Sequence, residues 1–236
     1  MRRETAGAIV AALLALQSAP AQAQAYQCSI PREIGAPAMP RPDGPVRRTP
    51  VARYTLAASW SPDWCKMHGD RTSIQCSARS GRFGFVLHGL WPEAARGPSP
   101  QWCPARYRPS PRLIRQHMCM SPSASLLMHE WAKHGACMTQ TPSAYFSTAS
   151  ILWRGIEWPD AARLSRRKNL TAGDLRDAFV LTNPDWPREA VGIDLSGKGW
   201  LQGVQLCYDK SFHPSACPAR QFGARDAAPM KIWRGL

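Results

Sequence analysis

The sequence predicts an α+β fold, a single disulfide-stabilised domain in which helices flank a central, mainly antiparallel β-sheet. Three observations lead there. Strand-like and helix-like patterns follow one another without strict alternation, which disfavours a doubly wound parallel sheet. About 210 residues remain once an N-terminal leader is set aside, which suits one sizeable core. The cysteines Cys28, Cys65, Cys76, Cys103, Cys119, Cys137, Cys207 and Cys217 form an even set with no Cys-x2-Cys zinc pattern, so an exported chain would carry up to four disulfides.

Along the chain, Met1-Arg2-Arg3, the apolar run 6–16 and the small residues Ala19, Ala21, Ala23 and Ala25 have the layout of a secretory signal peptide over residues 1–25. Cleavage after Ala23 or after Ala25 fits equally. The apolar run is roughly half the ~20 residues needed to span a bilayer, so the mature form is expected without a membrane anchor, as a monomer in the periplasm or secreted. Residues 26–50 form a Pro-rich extended arm, and residues 51–236 the folded domain.

Within that domain, Tyr54, Leu56 and Ala58 alternate in a predicted strand over 52–60, and Phe83, Phe85 and Leu87 in another over 82–90. Trp91-Pro92 is expected to stop the second strand, because proline cannot donate to a ladder. Residues 97–111 read as a loop, followed by a short amphipathic piece over 113–118. Ser121-Pro122 offers a helix start, and the helix is expected to run through Trp131 and Ala132 until Gly135 ends or bends it. Residues 143–152 and 172–180 also read as helices, and 201–208 as a late strand.

A formal net charge of +14 attracts polyanions, nucleic acid and acidic envelope components alike. The histidines narrow the choice. In LLMHEWAKHGAC (126–137), His129 and Lys133 are four apart, as are Glu130 and His134, so two rows of polar groups border one side of the predicted helix. A zinc-protease pattern needs histidines four apart on one face. His129 and His134 are five apart, about 140° past one full turn, and Lys133 would add positive charge beside the ion. No metal or other cofactor is therefore expected.

Metal-free cleavage of RNA uses the same residues better. It needs a base for the ribose 2′-hydroxyl, an acid for the departing 5′-oxygen, and positive charge around the phosphorane. Imidazole suits both proton tasks. His88, at the end of the second predicted strand, is a candidate partner for His129 and His134, with a buried structural histidine as the alternative. Trp91 is either core packing or a stacking face for a base, and Glu93 is a candidate acceptor for a base edge.

Two blocks in order, HGLWPE (88–93) and HEWAKHGAC (129–137), resemble the ribonuclease T2 family, and weaker likeness runs from YTLAASWSPDWC (54–65) to LCYDKSFHPSACP (206–218). The resemblance implies a ribonuclease T2-like fold and an endoribonuclease for single-stranded RNA. Its products would be 2′,3′-cyclic phosphates, then 3′-phosphates. It implies His88 as general acid, His134 as general base, His129 on the phosphate, and Glu130 with Lys133 stabilising the pentacovalent phosphorus. Trp91 and Glu93 fall where family members contact a base, with Trp102 or Tyr107 as the opposite stacking partner. Leu126-Leu127 replace the usual aromatic pair, and Glu93 the usual Asp or Asn. The resemblance also implies the pairings Cys103–Cys137, Cys207–Cys217, Cys76–Cys119 and, by remainder, Cys28–Cys65.

Three further readings predict different behaviour. A polyanion-binding module binds RNA without cutting it, a zinc hydrolase loses activity to chelators, and a purely structural envelope protein does neither.

Overall fold

The computed structural model describes residues 25–26, 28–35 and 37–235. Apart from Ala25, the expected signal peptide lies outside the described residues. Strand β1 (Ala25–Tyr26) pairs antiparallel with β3 (Arg82–Phe83). The main sheet has the order β4-β2-β6-β5, every neighbouring pair antiparallel, and is built from β2 (Val51–Trp60), β4 (Phe85–Ala94), β5 (Val191–Leu195) and β6 (Leu201–Asp209). The expected α+β class with an antiparallel sheet and flanking helices is what the structure has.

Alternation along β2 divides the sheet's two faces. Leu56, Ala58 and Trp60 join Val204, Leu206 and Leu90 in the core. That face is covered by α2 (Pro111–His117), α3 (Ala124–Lys133), α4 (Pro142–Arg154) and α6 (Ala172–Thr182), which bring in Ile114, Trp131, Tyr145, Phe146, Trp153 and Phe179. Helices α1 (Ser61–His68), α5 (Ala161–Leu164) and α7 (Ala219–Phe222) are short. Among the described residues, no helix is long and apolar enough to cross a membrane.

Two sequence expectations about boundaries are corrected. Strand β4 does not stop at Trp91-Pro92 but continues to Ala94, with Pro92 opposite Tyr54. It lies at the border of the sheet, where a missing N–H on the open side breaks no ladder bond. Helix α3 does not start at Ser121-Pro122. Ser123 is its cap, its side chain accepting from the N–H of Leu126 at 3.2 Å, while Ser121 is fully buried before it.

The structure pairs Cys103 with Cys137 and Cys207 with Cys217, as the resemblance implies. The other two expected pairings, Cys76–Cys119 and Cys28–Cys65, are replaced by Cys65–Cys76 and Cys28–Cys119. The turns after α1 fold straight back onto it, so Cys65 finds a partner only 11 residues away. The arm runs instead beside α2, where the Arg115 guanidinium donates to the carbonyls of Ile30 and Pro31.

The arm is stitched to the loop after β4 as well. Arg47 and Gln101 exchange backbone hydrogen bonds at 2.9 and 3.1 Å, the Gln101 amide donates to the Pro45 carbonyl, and Thr49 donates to the Pro98 carbonyl. At the far end of the domain, Arg176 on α6 is 0% exposed. It donates to the carbonyls of Val191, Phe222 and Ala224 and to the Asp226 carboxylate at 2.6 Å, tying the C-terminal segment to β5.

Candidate active site

A cleft of about 820 Å³ is lined by His88, Trp91 and Glu93 from β4, by His129, Glu130, Lys133 and His134 at the end of α3, and by Arg47, Arg53, Gln205 and Arg220. The strand delivers His88 through an irregularity. Ala57 pairs with Gly89 but Ala58 pairs with Leu87, so His88 is an extra, unpaired residue. Such bulges re-aim a side chain. Two residues on, the Tyr145 hydroxyl holds the strand, accepting from the N–H of Leu90 and donating to its carbonyl, both at 3.2 Å.

Helix α3 delivers the other four. Glu130 is 2% exposed and reaches over the strand between His88 and Trp91. Its Oε1 lies 3.5 Å from His88 Nε2, and its Oε2 accepts from Trp91 Nε1–H at 2.8 Å. This crossing needs a glycine beneath it. A Cβ on Gly89 would stand 2.6 Å from the carboxyl carbon of Glu130 and 2.8 Å from Trp91 Nε1. At the other ring nitrogen, His88 Nδ1 is 3.1 Å from Ser59 Oγ.

His134 is the C-cap of α3, its N–H still bonded to the Glu130 carbonyl, and the chain then tightens into a 3-10 turn over Gly135–Cys137. Gly135 fits under Trp131 and Tyr145 because it has no Cβ, which would lie 2.6 Å from one ring and 2.8 Å from the other. The Cys103–Cys137 bridge closes this turn onto the loop. Trp91 touches both outer imidazoles, with ring centroids 5.5 Å from His88 and 5.6 Å from His134.

Burial sets the protonation of the site. It lowers His88 to about 4 and His134 to about 3, with help from neighbouring positive groups, and it raises Glu130 to about 8. His129 is lowered too, first by burial and then by Lys133. Burial thus favours neutral imidazoles and a protonated Glu130 carboxyl, whose Oε1 faces His88 Nε2. His134 Nδ1 is buried without a hydrogen-bond partner among the described residues.

Three side chains expected to meet a base have different placements. Glu93 lines the cleft, where its Oε2 accepts a short hydrogen bond from the Ser99 hydroxyl. Trp102 is buried, edge-on to His129 at 5.4 Å, with a left-handed backbone (φ 55°) whose N–H caps the Lys133 carbonyl. It offers no open face. Tyr107 lines a separate cavity beside Trp131, whose indole donates to the Tyr107 carbonyl. The structure does not bring Tyr107 to the cleft.

Sequence reasoning missed Ser59 and Asp43. Ser59 belongs to the alternation of β2, which already places it opposite Ala58 and Trp60. Asp43 lies on the arm, without periodicity or motif, yet its Oδ2 is 2.8 Å from Lys133 Nζ and its Oδ1 accepts from Trp102 Nε1–H at 2.9 Å. Among the described residues, no group of three or more His, Cys, Asp or Glu side chains is arranged to hold a metal ion.

The chain is similar to known proteins. Residues 52–165 match the model of the Ribonuclease T2 family. The chain is 33% identical over 189 residues to a probable ribonuclease of Haemophilus influenzae, covering 75% of this chain and 65% of that protein. It is 39% identical over 115 residues to a ribonuclease of Aeromonas hydrophila, covering 48% and 50%. The chain thus spans less than two thirds of the length of either relative. Among solved structures, trichomaglin, described as an S-like ribonuclease, superposes with a TM-score of 0.62 over 78% of this chain and 98% of its own, at 19% identity, a likeness of fold. Both histidine blocks and the whole of α3 lie inside the segment, residues 52–165, that is similar to the Ribonuclease T2 family.

Proposed function

We propose that the protein is a metal-independent endoribonuclease that cleaves single-stranded RNA by attack of the ribose 2′-hydroxyl on the adjacent phosphate. The observation that carries this reading is the convergence of His88, His129, Glu130, Lys133 and His134, from two distant segments, on one cleft edged with arginines. His134, neutral at rest, takes the 2′-hydroxyl proton. The 2′-oxygen forms the bond to phosphorus, the bond to the 5′-oxygen breaks, and His88 gives that oxygen a proton, leaving a 2′,3′-cyclic phosphate and a 5′-hydroxyl. Water then opens the cycle to a 3′-phosphate with the two histidines exchanging tasks.

An acid whose pKa is held near 4 is short of its proton at neutral pH. Glu130 supplies it across 3.5 Å, because an anionic phosphate in the cleft stabilises the imidazolium that burial alone disfavours. His129 and Lys133 meet the phosphate oxygens, and Trp91 with Glu93 contacts a base. Export to the periplasm or the medium fits the N-terminal leader and the four disulfides.

Mass spectrometry of mixed-sequence RNA digested in EDTA tests the reading. Cyclic phosphate and 5′-hydroxyl ends are expected, a 2′-deoxy oligomer should stay intact, and His134→Ala should abolish cutting while keeping the fold. DNA hydrolysis, or loss of activity with EDTA, would refute the mechanism. Binding should weaken as salt rises, since the contacts are to phosphates.

A further inference from the structure

The cation of the site is held by a residue outside the matched segment. Lys133 Nζ is paired with Asp43 Oδ2 at 2.8 Å, and Asp43 is itself fixed by the indole N–H of Trp102. Trp102 in turn caps the Lys133 carbonyl through its backbone N–H at 2.8 Å and sets its ring 5.7 Å from the ammonium. Lys133 is thereby gripped at both ends by one short loop and one arm residue. Lys133 lines the cleft, and neither Asp43 nor Trp102 does. The pair therefore holds the ammonium from behind and leaves its remaining N–H donors for an anion in front.

The arm is built to keep Asp43 there. The Cys28–Cys119 bridge, the Arg115 contacts to Ile30 and Pro31 and the Arg108 contact to the Pro37 carbonyl anchor the chain before Asp43. The Gln101 contacts to Pro45 and Arg47 anchor it after. Next to it, a Cβ on Gly44 would lie 2.9 Å from the Gln101 amide nitrogen, so the backbone passes this loop closely.

We infer that Asp43 is a positioning residue of the reaction: the arm uses its carboxylate to fix the Lys133 ammonium at the rim of the cleft, where it meets the charge that develops on phosphorus. The inference rests on the proposed ribonuclease reading for its chemistry, though not for the contact itself. A freely rotating lysine spends entropy when it meets the phosphorane, and a pre-aimed one does not. Asp43 sits behind the ammonium and outside the cleft, so its value would lie in aiming Lys133 at the transition state, read in kcat and not in binding.

Asp43→Asn keeps the shape and an acceptor for Trp102 but removes the ion pair. Its kcat on a defined oligoribonucleotide is expected to fall about tenfold, the size of one lost charge-assisted contact to the reacting centre, with KM unchanged or lower. Asp43→Glu should restore part of the rate. In a Lys133→Ala background, Asp43→Asn should have no further effect. An unchanged kcat in Asp43→Asn, or an equal fractional loss in both backgrounds, would overturn the inference.

A second readout needs no turnover. In 15N-lysine-labelled protein, the ammonium resonance of Lys133, assigned by its absence in Lys133→Ala, should be sharp in the wild type and broadened by exchange in Asp43→Asn. A resonance equally sharp in both would also overturn it. If the wild type cleaved no RNA while the resonance behaved as expected, the ribonuclease reading would fall and the anchoring of Lys133 by Asp43 would stand.

Discussion

Gly89 gives the most direct test of the geometry at the centre of the cleft. In Gly89→Ala, the new methyl carbon would lie 2.6 Å from the carboxyl carbon of Glu130, where carbon atoms settle at about 3.5–4.0 Å. The carboxyl must then retreat by about 1 Å or more. It cannot do so and keep both the 2.8 Å bond from Trp91 and its place 3.5 Å from His88. A shift of that size at a reacting constellation costs roughly 10²-fold in rate, or about 2.7 kcal/mol of transition-state stabilisation. The assay is kcat on a defined oligoribonucleotide beside a urea titration, since β4 should survive one methyl group on its cleft-facing side. A Gly89→Ala protein that folds normally and cuts at the wild-type rate would show that the Glu130–His88 contact does not carry the proton.

Two further outcomes follow from buried charge. His88 and His134 have folded-state pKa values of about 4 and about 3, below the ordinary 6.5, so the unfolded chain binds more protons and their contribution is present above pH 6.5 and lost as pH falls towards 4 and 3. Glu130 is raised from 4.5 to about 8, so its contribution is present below pH 4.5 and lost as pH rises through 8. Together these three groups put maximum stability near pH 6.5, measurable by denaturant titration across pH. Glu130→Gln should flatten the fall above pH 6.5, and a wild-type stability that climbs steadily to pH 8 would contradict the assignment. Arg176→Met should cost about 3–5 kcal/mol, since it strips three carbonyls and a carboxylate of a buried donor. Activity per folded molecule should be unaffected, and a loss below about 1 kcal/mol in urea would show that the cluster is not structural.

The parts of this molecule that were legible in the sequence are those set by local rules. Period-two alternation marks β2, and the four-residue spacing of His129 with Lys133 and Glu130 with His134 marks α3, because side-chain direction there follows from backbone geometry alone. Boundaries were less legible. Pro92 reads as a stop only if its strand has neighbours on both sides, and that depends on sheet order, a non-local fact. Likewise β5 has five residues and too few alternations to announce itself. Trp102 and Tyr107 lie near the site in sequence, yet a left-handed turn at Trp102 sends one ring under His129 and leaves the other in a separate cavity. The cysteine partners of the arm depend on where an aperiodic segment is pinned, and no pattern encodes that. Asp43 was invisible for the same reason.

Proline at the rim of the sheet has a use beyond tolerating an odd residue. A border strand is a template on which another extended chain can grow. On β4, the Leu87 amide is taken by the Met120 carbonyl at 2.8 Å, and at Pro92 there is no amide to offer. The strand that presents His88 and Trp91 to the cleft is thus blunted on both sides of those residues, and a stray polypeptide finds no ladder to extend there.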